Sequence, residues 1–358
     1  MTRSLVVVGT GAFALGLCQA LARTVTEPTT VYVTGRSTQA CDTLCAQVAE
    51  SAPVSRALFR PVVANLSPGT DLRPVLASLA PQLAVVCASY QSPKDVRRGG
   101  TEWSRLVRAA GFGVTLPLQA ALADLVAVAC QDSGDTPVPL VNACFPDAVN
   151  ALLHARGRAV LGGVGNVATL SAELSDTLAP GRPERLKLLA HHVHLHGPDD
   201  PAHEARCWLD HRPLSASDTT TQLEPARTKR RSLLNDRGAT AAADLVGALL
   251  DGRRYVGHVP GPAGLVGGYP VTVESGRVTL RLPPGVSTAD AQRWNEEVSR
   301  LDGGWVDSAG TFRLTDRAAE AVAPHLPELT RGCRAEELTD LCARQLRLRE
   351  RLQNPVPS

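Results

Sequence analysis

The chain has 358 residues, 44% hydrophobic and 20% charged, enough for two domains with buried cores and too apolar for a disordered polypeptide. Thirty-seven basic residues against 35 acidic leave a formal charge of +2, which argues against a nucleic-acid partner, since that role needs a strongly basic face. No apolar run approaches the ~20 residues of a membrane helix, and no signal peptide precedes Ser4-Leu5-Val6-Val7-Val8, so no membrane partner is expected. The nine cysteines are scattered and none forms a CxxC pair. They predict free thiols in a reducing cytoplasm rather than disulfides or a thiolate zinc site.

Leu5 to Val8 reads as a strand buried on both faces, broken by Gly9-Thr10-Gly11. Ala12 to Arg23 is Ala- and Leu-rich and predicts a helix. Thr30 to Thr34 predicts the second strand, and Ser37 is placed to cap a helix running to about Ala49. Leu83 to Ala88 and Val138 to Val141 predict further buried strands. This alternation is the pattern of a parallel, doubly wound sheet. The second half changes character. Leu186 to His196 looks extended, Ala205 to Arg231 is mostly polar, and Gly238 to Leu250 is an Ala-rich helix. Pro270 to Val273 and Val278 to Leu282 flank Ser275-Gly276, a dipeptide suited to a tight hairpin. Ser287 opens a helix through Leu301. Trp305 to Leu314 predicts a second hairpin, and Glu336 to Leu352 an amphipathic helix. The expected division is a dinucleotide-binding domain over 1–150, a substrate domain over 151–302, and a C-terminal extension of hairpin plus helix over 303–358.

Gly9-Thr10-Gly11-Ala12-Phe13-Ala14 fits GxGxx(G/A) between a strand and a helix. The first glycine permits the sharp turn and the second lets backbone amides approach a pyrophosphate. The small third residue, Ala14, lets helix and strand pack closely. At the end of the second strand, where an acid would bind the ribose hydroxyls of NAD, the chain has Arg36 and Ser37. Arg36 can pair with a 2′-phosphate and Ser37 can donate to it, which favours NADP and leaves NAD possible.

The order of features from about residue 4 to 302 resembles the lactate/malate dehydrogenase superfamily. Ser104-Arg105-Leu106 resembles its SRL segment, whose Arg polarises the substrate carbonyl. Asn142 with Pro146-Asp147 resembles its NPxD motif, whose Asn contacts cofactor ribose and substrate. Leu161-Gly162-Gly163-Val164-Gly165 resembles the glycine turn before the first substrate-domain helix. Leu195-His196-Gly197 resembles the GxHG of the catalytic histidine. Arg237-Gly238-Ala239-Thr240 resembles the (K/R)GxT helix start lining the substrate pocket, and Tyr269-Pro270-Val271 with Ser275-Gly276-Arg277-Val278 its closing hairpin. The resemblance implies a Rossmann doubly wound parallel sheet followed by an α+β substrate domain. It also implies a homodimer, for which the Ala-rich helix Gly238 to Leu250 suits close contact.

One departure is central. The family's DSAR motif, whose Asp orients the histidine and whose Arg grips a carboxylate, is replaced by Asn166-Val167-Ala168-Thr169-Leu170-Ser171-Ala172-Glu173. Asn166 can orient His196 less strongly than an acid would, and Glu173 would repel a carboxylate. Lys94, Arg97 and Arg98 in the loop before Ser104 could supply the missing grip. His192, His194 and His196 would share one face of a strand. His194 then lines the substrate cleft, and no third partner for a metal is identified.

These residues predict an NADP-dependent oxidoreductase acting on C=O/C–OH or C=N/C–NH of a specialised small molecule, not simple lactate or malate. His196 exchanges the proton, Arg105 polarises the bond and Asn142 positions the substrate. Arg97, Arg98, Asn166, His194 and Thr240 complete the substrate side. Two readings stand beside it: a lyase or hydrolase that recycles a bound nicotinamide, and a nucleotide-binding protein without turnover.

Overall fold

The computed structural model describes residues 3–92, 100–134 and 136–354. Six parallel strands form the first sheet: β1 (Arg3–Val8), β2 (Thr29–Gly35), β3 (Ala57–Val63), β4 (Leu83–Val86), β5 (Leu140–Asn142) and β6 (Gly162–Gly163). Their order is β3-β2-β1-β4-β5-β6, so the chain reverses direction between β1 and β4 and leaves a crevice at the carboxyl ends of those strands. The last strand of this sheet lies beyond residue 150. Leu5, Val6, Val7 and Val8 are buried, as a continuous apolar run requires in a sheet covered on both faces.

Helix α1 (Ala12–Thr24) starts at Gly11, and α2 (Thr38–Ser51) starts at Ser37, whose hydroxyl accepts from the Ala40 amide at 3.3 Å. Helices α3 (Arg73–Leu79), α4 (Glu102–Ala110), α5 (Leu116–Gln131) and α6 (Pro146–Ala155) complete the layers around the sheet. Contrary to the sequence expectation, one helical stretch, Phe112–Gln131, is long and apolar enough to cross a membrane. Here 78% of its most apolar stretch is buried, because the sheet and the C-terminal helix cover it.

The second region carries two antiparallel sheets. One holds β7 (Leu186–Leu189), β8 (Arg206–Leu209) and β9 (Arg212–Pro213); the other holds β10 (Tyr255–Pro260), β11 (Gly268–Glu274) and β12 (Arg277–Leu280). The β11–β12 turn is Ser275-Gly276 as expected, both at positive φ (50° and 73°) as a two-residue hairpin demands. Helices α7 (Asn166–Leu178), α8 (Ala216–Arg227), α9 (Arg231–Leu250) and α10 (Thr288–Ser299) pack around them, α10 capped by Ser287 through the Asp290 amide at 3.1 Å. The alanine face of α9 (Ala239, Ala242, Ala243) is buried, the latter two in one cluster with Ala14, Leu17 and Leu21 of α1. A Cβ on Gly16 would lie 3.1 Å from that of Ala239. That close contact is therefore made within the chain.

One expectation fails locally. The extended run ends at Leu189, with one further bridge from Ala190 to Gly268, and His192–Leu195 is a 3₁₀ turn. The His191 amide donates to His194 Nδ1 at 2.7 Å and the His194 amide to the His191 carbonyl at 3.1 Å, which folds the chain back on itself. His192, His194 and His196 thus do not share a strand face.

The C-terminal unit comprises β13 (Gly304–Val306), β14 (Phe312–Leu314), α11 (Asp316–Val322) and α12 (Leu338–Gln353). Phe312, Leu338, Leu341 and Leu348 join one core with Trp103, Leu106, Leu118 and Leu122 of α4 and α5. Arg317 Nε donates to the Ala109 carbonyl at 3.0 Å and Gln345 Nε2 to that of Val114 at 2.6 Å. The unit is fastened to the nucleotide half of its own chain.

Candidate active site

The glycine turn is built for close approach. Gly9 sits at φ +128° and its amide donates to the Thr34 carbonyl at 2.8 Å. A Cβ there would lie 2.9 Å from Ala88 Cβ and 3.0 Å from the Cys87 carbonyl carbon. Gly11 is different: a Cβ added to it meets nothing within 4 Å. No side chain caps α1, so its first amides are left with the positive end of the helix dipole over open space. Ala12 is exposed, Phe13 half-buried, and Ala14 is buried where helix and sheet meet. A cleft of about 330 Å³ opens there, lined by Thr10, Gly11, Ala12, Leu15, Ser37 and Ala40 among others, with no acid in its lining. Arg36 stands exposed next to it. A bare glycine, uncapped amides and an acid-free cleft fit a dinucleotide pyrophosphate and its adenosine.

Asn142, at the end of β5, does not face such a ligand. It is fully buried; its amide nitrogen donates to the Cys144 carbonyl at 3.1 Å and to Asn150 Oδ1 at 2.9 Å. Its oxygen accepts from the Cys144 amide at 2.8 Å, and Asn150 passes the link to the Gly261 carbonyl. With both donors committed, Asn142 is a brace between the two regions. Phe145 follows in the left-handed region, at φ +46°, which costs a bulky residue about 1–3 kcal/mol.

That strained residue helps form a ring cluster. Phe145 meets Phe112 edge-on at 5.0 Å and His192 at 5.3 Å, while Phe112 stacks on His192 at 4.8 Å and 20°. His192 Nδ1 lies 3.2 and 3.1 Å from the two oxygens of Asp302, and His191 Nδ1 lies 3.4 Å from one of them. Burial alone would lower the basicity of His192. The charge and hydrogen bond of Asp302, with the charge of Asp147, outweigh it and raise its pKa. Burial likewise favours a neutral Asp302, and His192 reverses that, holding the carboxyl below its usual range. His191, fully buried, is pushed down to about 3 and is neutral. Asp147 is buried with one oxygen unpartnered; burial pushes it up to about 6, against the charge of His192 and a hydrogen bond from the His192 amide.

The remaining expected residues are placed as follows. His196 is exposed, with its ring 6.4 Å from that of His192; partial desolvation of the ring by its neighbours first, then the charges of His192 and Arg231, lower its pKa. His194 is not a cleft residue. It is buried, stacked on Trp294 at 5.6 Å, with Nδ1 held by the His191 amide and Nε2 by the His203 carbonyl. Asn166 accepts from Arg231 at 3.5 Å and makes no bond to His196 among the described residues. Glu173 is paired with Lys229, which offsets its charge. Thr240 donates to the Asp236 carbonyl of its own helix. Arg105 is exposed on α4 and donates to the Gly100 carbonyl at 3.0 Å. No hydrogen bond or ion pair among the described residues joins Arg105, Asn142 and His196. Lys94, Arg97 and Arg98 lie outside the described residues. Among the described residues no group of three or more His, Cys, Asp or Glu side chains is placed to hold a metal ion.

Asp302 is the residue that sequence reading missed. It comes 110 residues after His192, beyond the last helix of the expected substrate domain, and no local pattern marks it. Its neighbour Gly303 carries a signal visible only in three dimensions: a Cβ there would collide with the Ala110 carbonyl, and one on Gly111 with the Asp302 carbonyl.

No protein-family model matches the sequence, and no curated protein is significantly similar to it. Solved structures are similar in fold. The ligand-bound minor L-lactate dehydrogenase of Enterococcus mundtii superposes with a TM-score of 0.53 at 14% identity, over 84% of this chain and 96% of that one. The apo malate dehydrogenase of Picrophilus torridus gives 0.55 at 12% identity, over 90% and 98%. The chain has a lactate/malate dehydrogenase-like fold: a Rossmann domain with a second α+β domain and, packed on the first, a hairpin-and-helix unit.

Proposed function

We propose that this protein is a nicotinamide-dependent oxidoreductase that prefers NADP(H) and acts on a small molecule other than lactate or malate. The observation that carries the reading is the uncapped N-terminus of α1 over bare Gly11, at the reversal point of a β3-β2-β1-β4-β5-β6 sheet. The α1 amides would hold the pyrophosphate, and Arg36 with Ser37 the 2′-phosphate. When bound, the nicotinamide supplies hydride transfer to or from a substrate carbon. The chain must move the accompanying proton, and the histidines of the turn after β7, packed against Phe145, supply groups of the right chemistry for that. The absence of an Asp-Arg pair on α7 supports a substrate other than a simple 2-hydroxy acid. Nine free cysteines support a reducing, cytoplasmic setting. A homodimer is part of the proposal, by analogy of fold, and light scattering at micromolar concentration would show its mass.

Fluorescence titration tests the cofactor reading. NADPH should bind more tightly than NADH, and Arg36→Ala should erase most of that preference, roughly 10- to 100-fold for a charged hydrogen bond to phosphate. Equal affinities in the wild type, or a preference untouched by Arg36→Ala, contradict it. The burial of Asn142 and the exposed position of Arg105 favour one second reading, a nucleotide-binding protein without turnover. Net NADPH oxidation with any carbonyl or imine would exclude it.

A further inference from the structure

We infer that His192, held by Asp302, is the residue that exchanges the proton at this site, and that Asp302 is a positioning residue delivered by the junction of α10 with the C-terminal unit. The inference rests on the nicotinamide reading above and selects one imidazole among four. His192 Nδ1 is committed to Asp302, while its Nε2 has no protein hydrogen bond among the described residues and the ring keeps 18% of its surface exposed. A carboxylate on one ring nitrogen fixes the tautomer and leaves the other to face a substrate. Stacking on Phe112 and the edge contact with Phe145 limit the ring's rotation. His196, although exposed, has no carboxylate hydrogen-bonded to its ring among the described residues. His194 has both ring nitrogens occupied, and His191 is sealed and neutral.

Asp302 is itself over-determined. Its side chain is only 8% exposed. Its backbone is pinned between Gly111 and Gly113, where no side chain would fit: a Cβ on Gly113 would lie 2.6 Å from the Gly304 amide. The Gly303 carbonyl then accepts from the Thr315 amide at 3.0 Å, at the start of α11. The C-terminal unit thus fixes the carboxylate from the α4–α5 side, and the imidazole arrives from the turn after β7. In the reducing direction, hydride adds to the substrate carbon and the Nε2 proton goes to the attached oxygen or nitrogen, leaving neutral imidazole. Oxidation reverses both transfers.

Titratable or charged groups facing His192 are His191 and His196 on its own turn, Asp147 on α6, Arg231 on α9 and Asp302 after α10. The test is an imidazole NMR titration of the full-length protein with ¹⁵N-labelled histidine, assigned by His192→Gln, in apo, NADP⁺-bound and NADPH-bound forms. His192 should titrate above the ordinary histidine value, with the neutral ring protonated on Nδ1. Asp302→Asn should lower that midpoint by about a unit or more, and Asp302→Glu should retain most of it. The positive charge of NADP⁺ should depress the midpoint relative to NADPH, because the ring adjoins the nicotinamide. An unchanged midpoint in Asp302→Asn overturns the pair. Identical midpoints with NADP⁺ and NADPH, both bound, overturn the proton-exchange role. If neither cofactor binds, the nicotinamide reading falls and the proton-exchange role with it, while the apo titration of Asp302→Asn still decides whether the pair exists. A merely structural Asp302 would lower the melting temperature without moving the His192 midpoint.

Discussion

The nucleotide cleft and the histidine cluster are built on different principles. The nucleotide end is local: residues 9–14 and 36–37, one turn and two helix starts, supply backbone amides and open space. The histidine end is assembled from Phe112, Phe145, Asp147, His192 and Asp302, which come from four separate segments, Phe145 and Asp147 sharing the start of α6. An anion cradle needs only a backbone conformation and the absence of a side chain. Proton chemistry needs a carboxylate and an imidazole held to within a few tenths of an ångström, and the fold achieves that through distant contacts.

The two glycines of the turn sharpen this contrast most strongly. Gly11→Val enters open space on an exposed residue, so stability should stay within about 0.5 kcal/mol while NADPH affinity falls by roughly a hundredfold. Gly9→Ala should do the reverse in order of cause. Its Cβ meets Ala88 at positive φ, so it should cost about 1–3 kcal/mol of stability before any ligand is added. Thermal melts and fluorescence titration read both effects. Equal destabilisation by the two substitutions would break the claim that Gly11 is kept bare for a ligand.

A pH effect separates the imidazoles of the histidine end. His191 is neutral in the native state down to about pH 3, whereas an unfolded histidine takes up a proton near 6.5. The native pKa of this base is depressed, so unfolding binds a proton throughout that window and stability falls as pH drops from 6.5 toward 3. His258, also held near 3 by burial, acts in the same sense. His192 acts oppositely: its native pKa is raised, and its contribution is present below 6.5 and lost as pH rises. His191→Gln should therefore flatten the acid limb of a urea-stability profile by about one proton, ~1.4 kcal/mol per pH unit. An unchanged slope would mean that His191 is not buried neutral.

Sequence reading reached as far as local signals carry. The glycine turn, the Ser37 and Ser287 caps, the Ser275-Gly276 hairpin and the C-terminal hairpin and helix are each encoded within a few residues, and the structure has them. The alternating histidines misled because alternation is the mark of a strand, yet here the His194 ring accepts from the His191 amide and turns the chain. Asn142 kept its expected place at a strand end but spends its amide inside the protein. Phe112–Gln131 escaped notice as a long apolar helix because Gly113 and Pro117 interrupt it. Asp302 could not be read at all, since its partner is set by the docking of α10 and the C-terminal unit on the α4–α5 turn.

The most direct test of the account is a crystal structure of the protein with NADP⁺. The pyrophosphate should lie over Gly11 at the start of α1, the 2′-phosphate against Arg36 and Ser37, and the nicotinamide in contact with the exposed edge of His192. A dinucleotide bound elsewhere, or a nicotinamide remote from His192 while Asp302 holds its place, would contradict it.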